Sequence, residues 1–125
     1  MKRLITIAAM TTLAALSGVA ACAPATRFEW GAYEPALYAY AQNPENREAY
    51  RTALERAIEA GRKRDAVAPG LLAELGYLHL QAGETTQALT LFQEERARFP
   101  ESAVFMDRVI VGLGGQAAVA GGEAQ

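Results

Sequence analysis

The stretch PGLLAELGYLHLQAGETTQALTLFQEERARFPES, Pro69 to Ser102, constrains this chain more than any other. Apolar residues recur at helical spacing on both sides of Ala82-Gly83-Glu84, and Pro100 blocks any further helix. The pattern predicts a helix over 71–81, a tight turn at 82–84 and a second helix over 85–99. Helices joined by so short a turn lie antiparallel and side by side. The expected fold is therefore all-α, a short stack of about five helices with this hairpin at its centre.

The spacing within the hairpin resembles a tetratricopeptide repeat (TPR), a helical pair of 34 residues. With the period begun at Pro69, Leu72, Leu75, Gly76, Ala88, Phe92 and Pro100 fall on its signature points. Two positions depart from it. His79 stands where an aromatic is usual and Glu95 where a small residue is usual, so looser packing is expected late in the second helix. Gly76 is expected where the facing helix comes close, opposite Ala88.

The N-terminus reads as an export signal rather than as part of the fold. Met1-Lys2-Arg3 is a basic head, Leu4 to Leu16 is almost wholly apolar, and Ser17 to Ala21 is small. This is the order of a secretory signal peptide, 1–21. Its apolar core of about 13 residues is short of the roughly 20 that cross a bilayer as a helix. Val19-Ala20-Ala21-Cys22 resembles the bacterial lipobox, in which the cysteine is acylated and becomes the first mature residue. Cys22 is also the only cysteine, so no disulfide can form within the chain. An ordinary signal peptide followed by a free thiol is the alternative. The resemblance implies a membrane anchor through the N-terminal lipid. Ala23, where an Asp would imply inner-membrane retention, implies the periplasmic face of the outer membrane. Loss of residues 1–21 leaves 10 basic against 14 acidic residues, a net charge of −4. No basic stripe or motif suits nucleic acid.

In the mature chain, 22–28 reads as an acylated tether, 29–111 as the helical domain and 112–125 as a disordered tail. Tyr33, Ala36, Leu37 and Tyr40 lie on one helix face. That segment either echoes the second helix of the repeat or is an unrelated amphipathic helix. Asn43-Pro44 opens the next helix, to about Arg64, with Tyr50, Ala53, Leu54, Ala57 and Ile58 as its buried stripe. Arg51 with Glu55 and Glu59 with Lys63 are spaced to pair along it. Asp65 to Gly70 is expected to be a connecting loop. A last helix over 103–111 is expected to cover the open end of the stack.

No catalytic set, metal-ligand spacing, cofactor motif or small-molecule site stands out. His79 is the only histidine and has no cysteine partner. Glu94 and Glu95 are neighbours on a helix, about 100° apart, and read as solvated surface rather than an acid–base pair. The aromatic group Phe28, Trp30, Tyr33, Tyr38 and Tyr40 has two readings. Trp30 and Tyr38 are candidate contacts for a protein partner, or Trp30 staples the helix start.

The order of a lipobox, Trp30-Gly31-x-Tyr33-Glu34-x-x-Leu37-Tyr38, Pro69-Gly70-Leu71-x-Ala73-Glu74-x-Gly76-Tyr77 and Phe99-Pro100-Glu101-Ser102-x-x-Phe105-Met106-Asp107 resembles a family of small bacterial TPR-like lipoproteins of undefined function. Members typically stand beside two other lipoproteins, one similar to the curli secretion pore. The resemblance implies a protein-binding or assembly role in envelope biogenesis or export and no enzymatic activity. A structural lipoprotein without a client and an envelope enzyme are the alternatives.

Overall fold

The computed structural model describes residues 26–122. The signal peptide 1–21, Cys22, the first part of the tether and residues 123–125 lie outside the described residues. Five α-helices follow in order: α1 (Tyr33–Gln42), α2 (Arg47–Arg64), α3 (Leu71–Gln81), α4 (Thr85–Arg98) and α5 (Ala103–Gly122). Single 3-10 turns, Pro44–Asn46 and Pro100–Ser102, lead into α2 and α5. Among the described residues there is no strand, only an isolated bridge between Glu29 and Val67. The fold is all-α.

Each helix packs on the next in the chain, α1 on α2, α2 on α3, α3 on α4 and α4 on α5. The central hairpin falls where the sequence puts it, and Gly83 supplies the positive φ, 78°, that its turn requires. The predicted stripe of α2 is buried throughout. Asn43 caps the turn before it, its Oδ1 accepting from the Glu45 N–H at 3.0 Å. Arg51 pairs with Glu55 at 3.0 Å and Lys63 with Glu59 at 3.3 Å along the outer face.

Several elements differ from the sequence reading. By packing order α1 takes the first place of a hairpin with α2 rather than the second place of a half repeat. Its inward residues are still Tyr33, Ala36, Leu37 and Tyr40, half-buried against the core. Phe28 belongs to the domain rather than to a tether, because its ring also packs on that core. Beside it the Glu29 N–H donates to the Ala66 carbonyl at 2.7 Å. The loop after α2 is itself core, with Ala66, Val67 and Ala68 buried.

The last helix continues to Gly122 instead of ending at Val111, so 112–122 is helix and not a disordered tail. Leu113 explains the first of the extra turns, since it is buried with Ala88, Phe92 and Met106 in a second apolar cluster. Glycine lowers helix stability by about 1 kcal/mol per residue without ending a helix that packing holds. Gly76 faces Phe92 rather than Ala88, and a Cβ there would sit 2.6 Å from that ring. Phe92 fills the space that the missing side chain leaves.

Candidate functional site

The concave chemistry of the domain gathers around Glu74, on the face of α3 turned away from α4. The Tyr33 hydroxyl donates to its Oε1 at 2.7 Å, and the Tyr50 hydroxyl donates to its Oε2. One carboxylate thus ties α1 and α2 to α3. Burial, then the bond to Glu74, pushes the Tyr33 hydroxyl up to about 12. The same causes raise Tyr50 further. Both hydroxyls therefore remain protonated donors across the neutral range. Trp30 leans on Tyr33 with ring centres 5.7 Å apart, and Tyr40 stacks on Tyr50 at 5.1 Å.

Beyond Tyr50 and Glu74 a groove of about 520 Å³ opens between α3 and α5. Ala73, Leu80, Phe92, Met106 and Val109 form its floor and walls, and among the described residues Glu74 supplies the one carboxylate of its lining. Two large aromatics on this groove stand in solvent, Tyr77 at 57% and Phe105 at 65% exposure. Folding leaves them uncovered although the floor beneath them is buried. Such a patch, apolar with a hydroxyl and a carboxylate at one end, suits a protein side chain or short helix better than a polar metabolite.

The residues singled out in sequence lie elsewhere. Tyr38 is 69% exposed on the outer side of α1, with Glu34, Pro35, Leu37 and Ala41 around it. Trp30 is 38% exposed and rests on Tyr33. The structure does not bring the two together in one surface. The Trp30 carbonyl accepts the Tyr33 N–H at 3.0 Å, a backbone bond that leads into α1. Cys22 is outside the described residues.

A family model described as "Domain of unknown function (DUF4810)" matches residues 28–109, from the half-buried Phe28 to Val109 in α5. The chain belongs to this family. No curated protein and no solved structure matches it. Phe28, at which the match to the DUF4810 domain begins, packs on the core.

One charged residue of the DUF4810 domain differs from its sequence reading. Glu95 is not solvated surface and does not loosen α4; it is 3% exposed, and its Oε1 accepts the Gly70 N–H at 2.8 Å, at the start of α3. A carboxylate there satisfies a free helix N–H and meets the positive end of the helix dipole. Among the described residues its other oxygen has no hydrogen-bond partner. Burial pushes Glu95 above the usual carboxylate range, and the Gly70 and Ala73 N–H groups only partly oppose this. Glu94, beside it, lies between Arg62 and Arg98 and is held below that range, chiefly by the Arg62 hydrogen bond. Their opposite shifts show how far apart two neighbouring helix side chains point.

A pH dependence follows from Glu95. Its folded pKa lies above its unfolded value, so the folded state holds the proton more tightly and stability falls as pH rises through the folded pKa. Glu95→Gln keeps an oxygen for Gly70 and removes the buried charge. Thermal melts from pH 5 to 8 should show a flatter decline for the variant and higher stability than wild type at pH 8. Identical slopes would contradict this reading.

His79 is buried near the end of α3, its Nδ1 within hydrogen-bond reach of Glu84 Oε2, which also lies 3.6 Å from Arg51 Nη2. The histidine replaces the usual aromatic with a polar clamp on the hairpin turn. Among the described residues no three His, Cys, Asp or Glu side chains gather as a metal site. No described helix is long and apolar enough to cross a membrane.

Proposed function

We infer that this protein is a lipid-anchored component of the outer membrane, facing the periplasm, that docks a protein partner during envelope assembly or export. The helical stack is read as TPR-like from Leu72, Leu75, Gly76, Ala88, Phe92 and Pro100. The anchor rests on the lipobox at Cys22, and the setting on the resemblance to lipoproteins that stand beside a curli-pore-like protein. The role is one of binding, without a catalytic step.

The observation that carries the docking role is the pair of exposed aromatics, Tyr77 and Phe105, on the apolar groove between α3 and α5. Exposed aromatics over a desolvated floor are the usual anchors of protein interfaces. Tyr77→Ala with Phe105→Ala should weaken co-purification with envelope partners at least tenfold while the helical circular-dichroism signal stays. Trp30→Ala with Tyr38→Ala separates this surface from the one read in sequence. If the second pair abolishes capture and the first does not, docking lies on α1. If neither does, the docking role fails.

The anchor has its own test. Cys22→Ser removes the thiolate that accepts the lipid, so metabolic labelling with a palmitate analogue should disappear. Label retained on the variant would refute the lipobox assignment.

A further inference from the structure

A helical stack normally ends in a helix with a polar outer face, because the last apolar surface has no neighbour to cover it. The end helix α5 does not follow this rule. Its inner side buries Met106 and Leu113, and its outer side carries Val104 and Val111 in solvent, seven residues apart and so on one face. Arg108 shares that face, and Glu101 is exposed in the 3-10 turn that leads into the helix.

Among the described residues the opposite end of the stack is open as well. On the side of the α1–α2 hairpin away from α3 there is a groove of about 880 Å³. Pro35 of α1 and Ala49, Thr52 and Ala53 of α2 line it, with Glu48 and Arg56 in the same wall. Glu48 and Arg56 are two turns apart, roughly 12 Å along the helix, and Glu101 and Arg108, whose span begins in the 3-10 turn, are separated by roughly 11 Å. Among the described residues none of these four charges makes an ion pair within the chain.

We propose that the α1–α2 groove receives the outer face of α5 from a second copy of this chain, so that copies associate head to tail. With α5 antiparallel to α2, Arg108 meets Glu48, Glu101 meets Arg56, and Val104 falls between them over Thr52 and its flanking alanines. The charge order fits only that direction, since the parallel arrangement sets Glu101 against Glu48 and Arg108 against Arg56. The contact joins two different surfaces, so it leaves one groove and one α5 face free at the ends of every assembly and does not close at a dimer. It leaves the α3–α5 groove open, because Tyr77 and Phe105 lie on another face of the stack.

Sedimentation of the purified full-length chain in detergent tests this. The wild-type mass should rise with concentration past that of two chains. Ala49→Arg blocks the groove and Val104→Arg blocks the α5 face; both sites are exposed, so the fold should be unchanged. Each variant alone should need at least tenfold more protein to associate. An equal mixture should form a species of two chains and nothing larger, because each variant keeps the end that the other lacks. Glu48→Arg and Arg108→Glu should each weaken association at low salt and restore it when combined in one chain. A wild-type chain that stays monomeric, sensitivity to Val104→Arg but not to Ala49→Arg, or a mixture without the two-chain species would overturn the proposal.

Discussion

Gly61→Ala is expected to lower stability in urea by about 2 kcal/mol, although alanine is the better helix former by about 1 kcal/mol. Gly61 lies in the last full turn of α2, where the chain folds back over its own helix. A Cβ there would stand 2.8 Å from Val67 Cα and 2.9 Å from Val67 N. These are backbone atoms and cannot rotate aside. Moving them disturbs the Ala66 N–H bond to the Gly61 carbonyl, 2.8 Å, and the Glu29 N–H bond to Ala66 that holds the N-terminal segment. Packing cost therefore outweighs helix propensity. A variant as stable as wild type would mean that the 66–68 loop does not seat on α2.

Gly76→Leu is the second large effect, about 3 kcal/mol, near the upper end of what overpacking a core costs. The intruding side chain meets the Phe92 ring, which is buried and has Ala88, Met106 and Leu113 around it. Because the obstacle is one side chain, it can be removed. Phe92→Ala costs stability alone, about 3–5 kcal/mol, but in the double variant the leucine fills part of the vacated space. The two effects should be clearly less than additive, and a double-mutant cycle in urea measures the difference. Strict additivity would show that residues 76 and 92 do not touch.

The parts of this fold that were legible in the sequence are those whose signal is local. The α2 stripe repeats every three to four residues, and the central hairpin carries its own turn glycine and stop proline, so periodicity and punctuation suffice. Burial set by distant partners left no such trace. Glu95 reads as solvent-facing because its neighbours are charged, and the Gly70 N–H that it serves lies 25 residues away. Ala66, Val67 and Ala68 are too short a run to show a period, yet they are core because Glu29 and Gly61 grip them from both sides. The length of α5 was hidden by glycines that argue for a loop until Leu113 is seen to pack.

The candidate site was hidden for a similar reason. Tyr77 and Phe105 sit on different helices, α3 and α5. Only the packing of both α3 and α5 on α4 places them around one groove. Trp30 and Tyr38, close in sequence, drew attention instead and stand on separate surfaces. Trp30 precedes α1 and rests on Tyr33, and Tyr38, five positions beyond Tyr33 on that helix, points about 140° away from it.

The central claim, that a protein partner docks on the α3–α5 groove, is tested most directly by site-specific photo-crosslinking in living cells. A photoreactive phenylalanine analogue placed at Tyr77 should give a discrete crosslinked product with an envelope protein, and the same probe at Glu59, exposed on the outer face of α2, should give none. Crosslinking at Tyr38 but not at Tyr77, or equal products from Tyr77 and Glu59, would contradict the account.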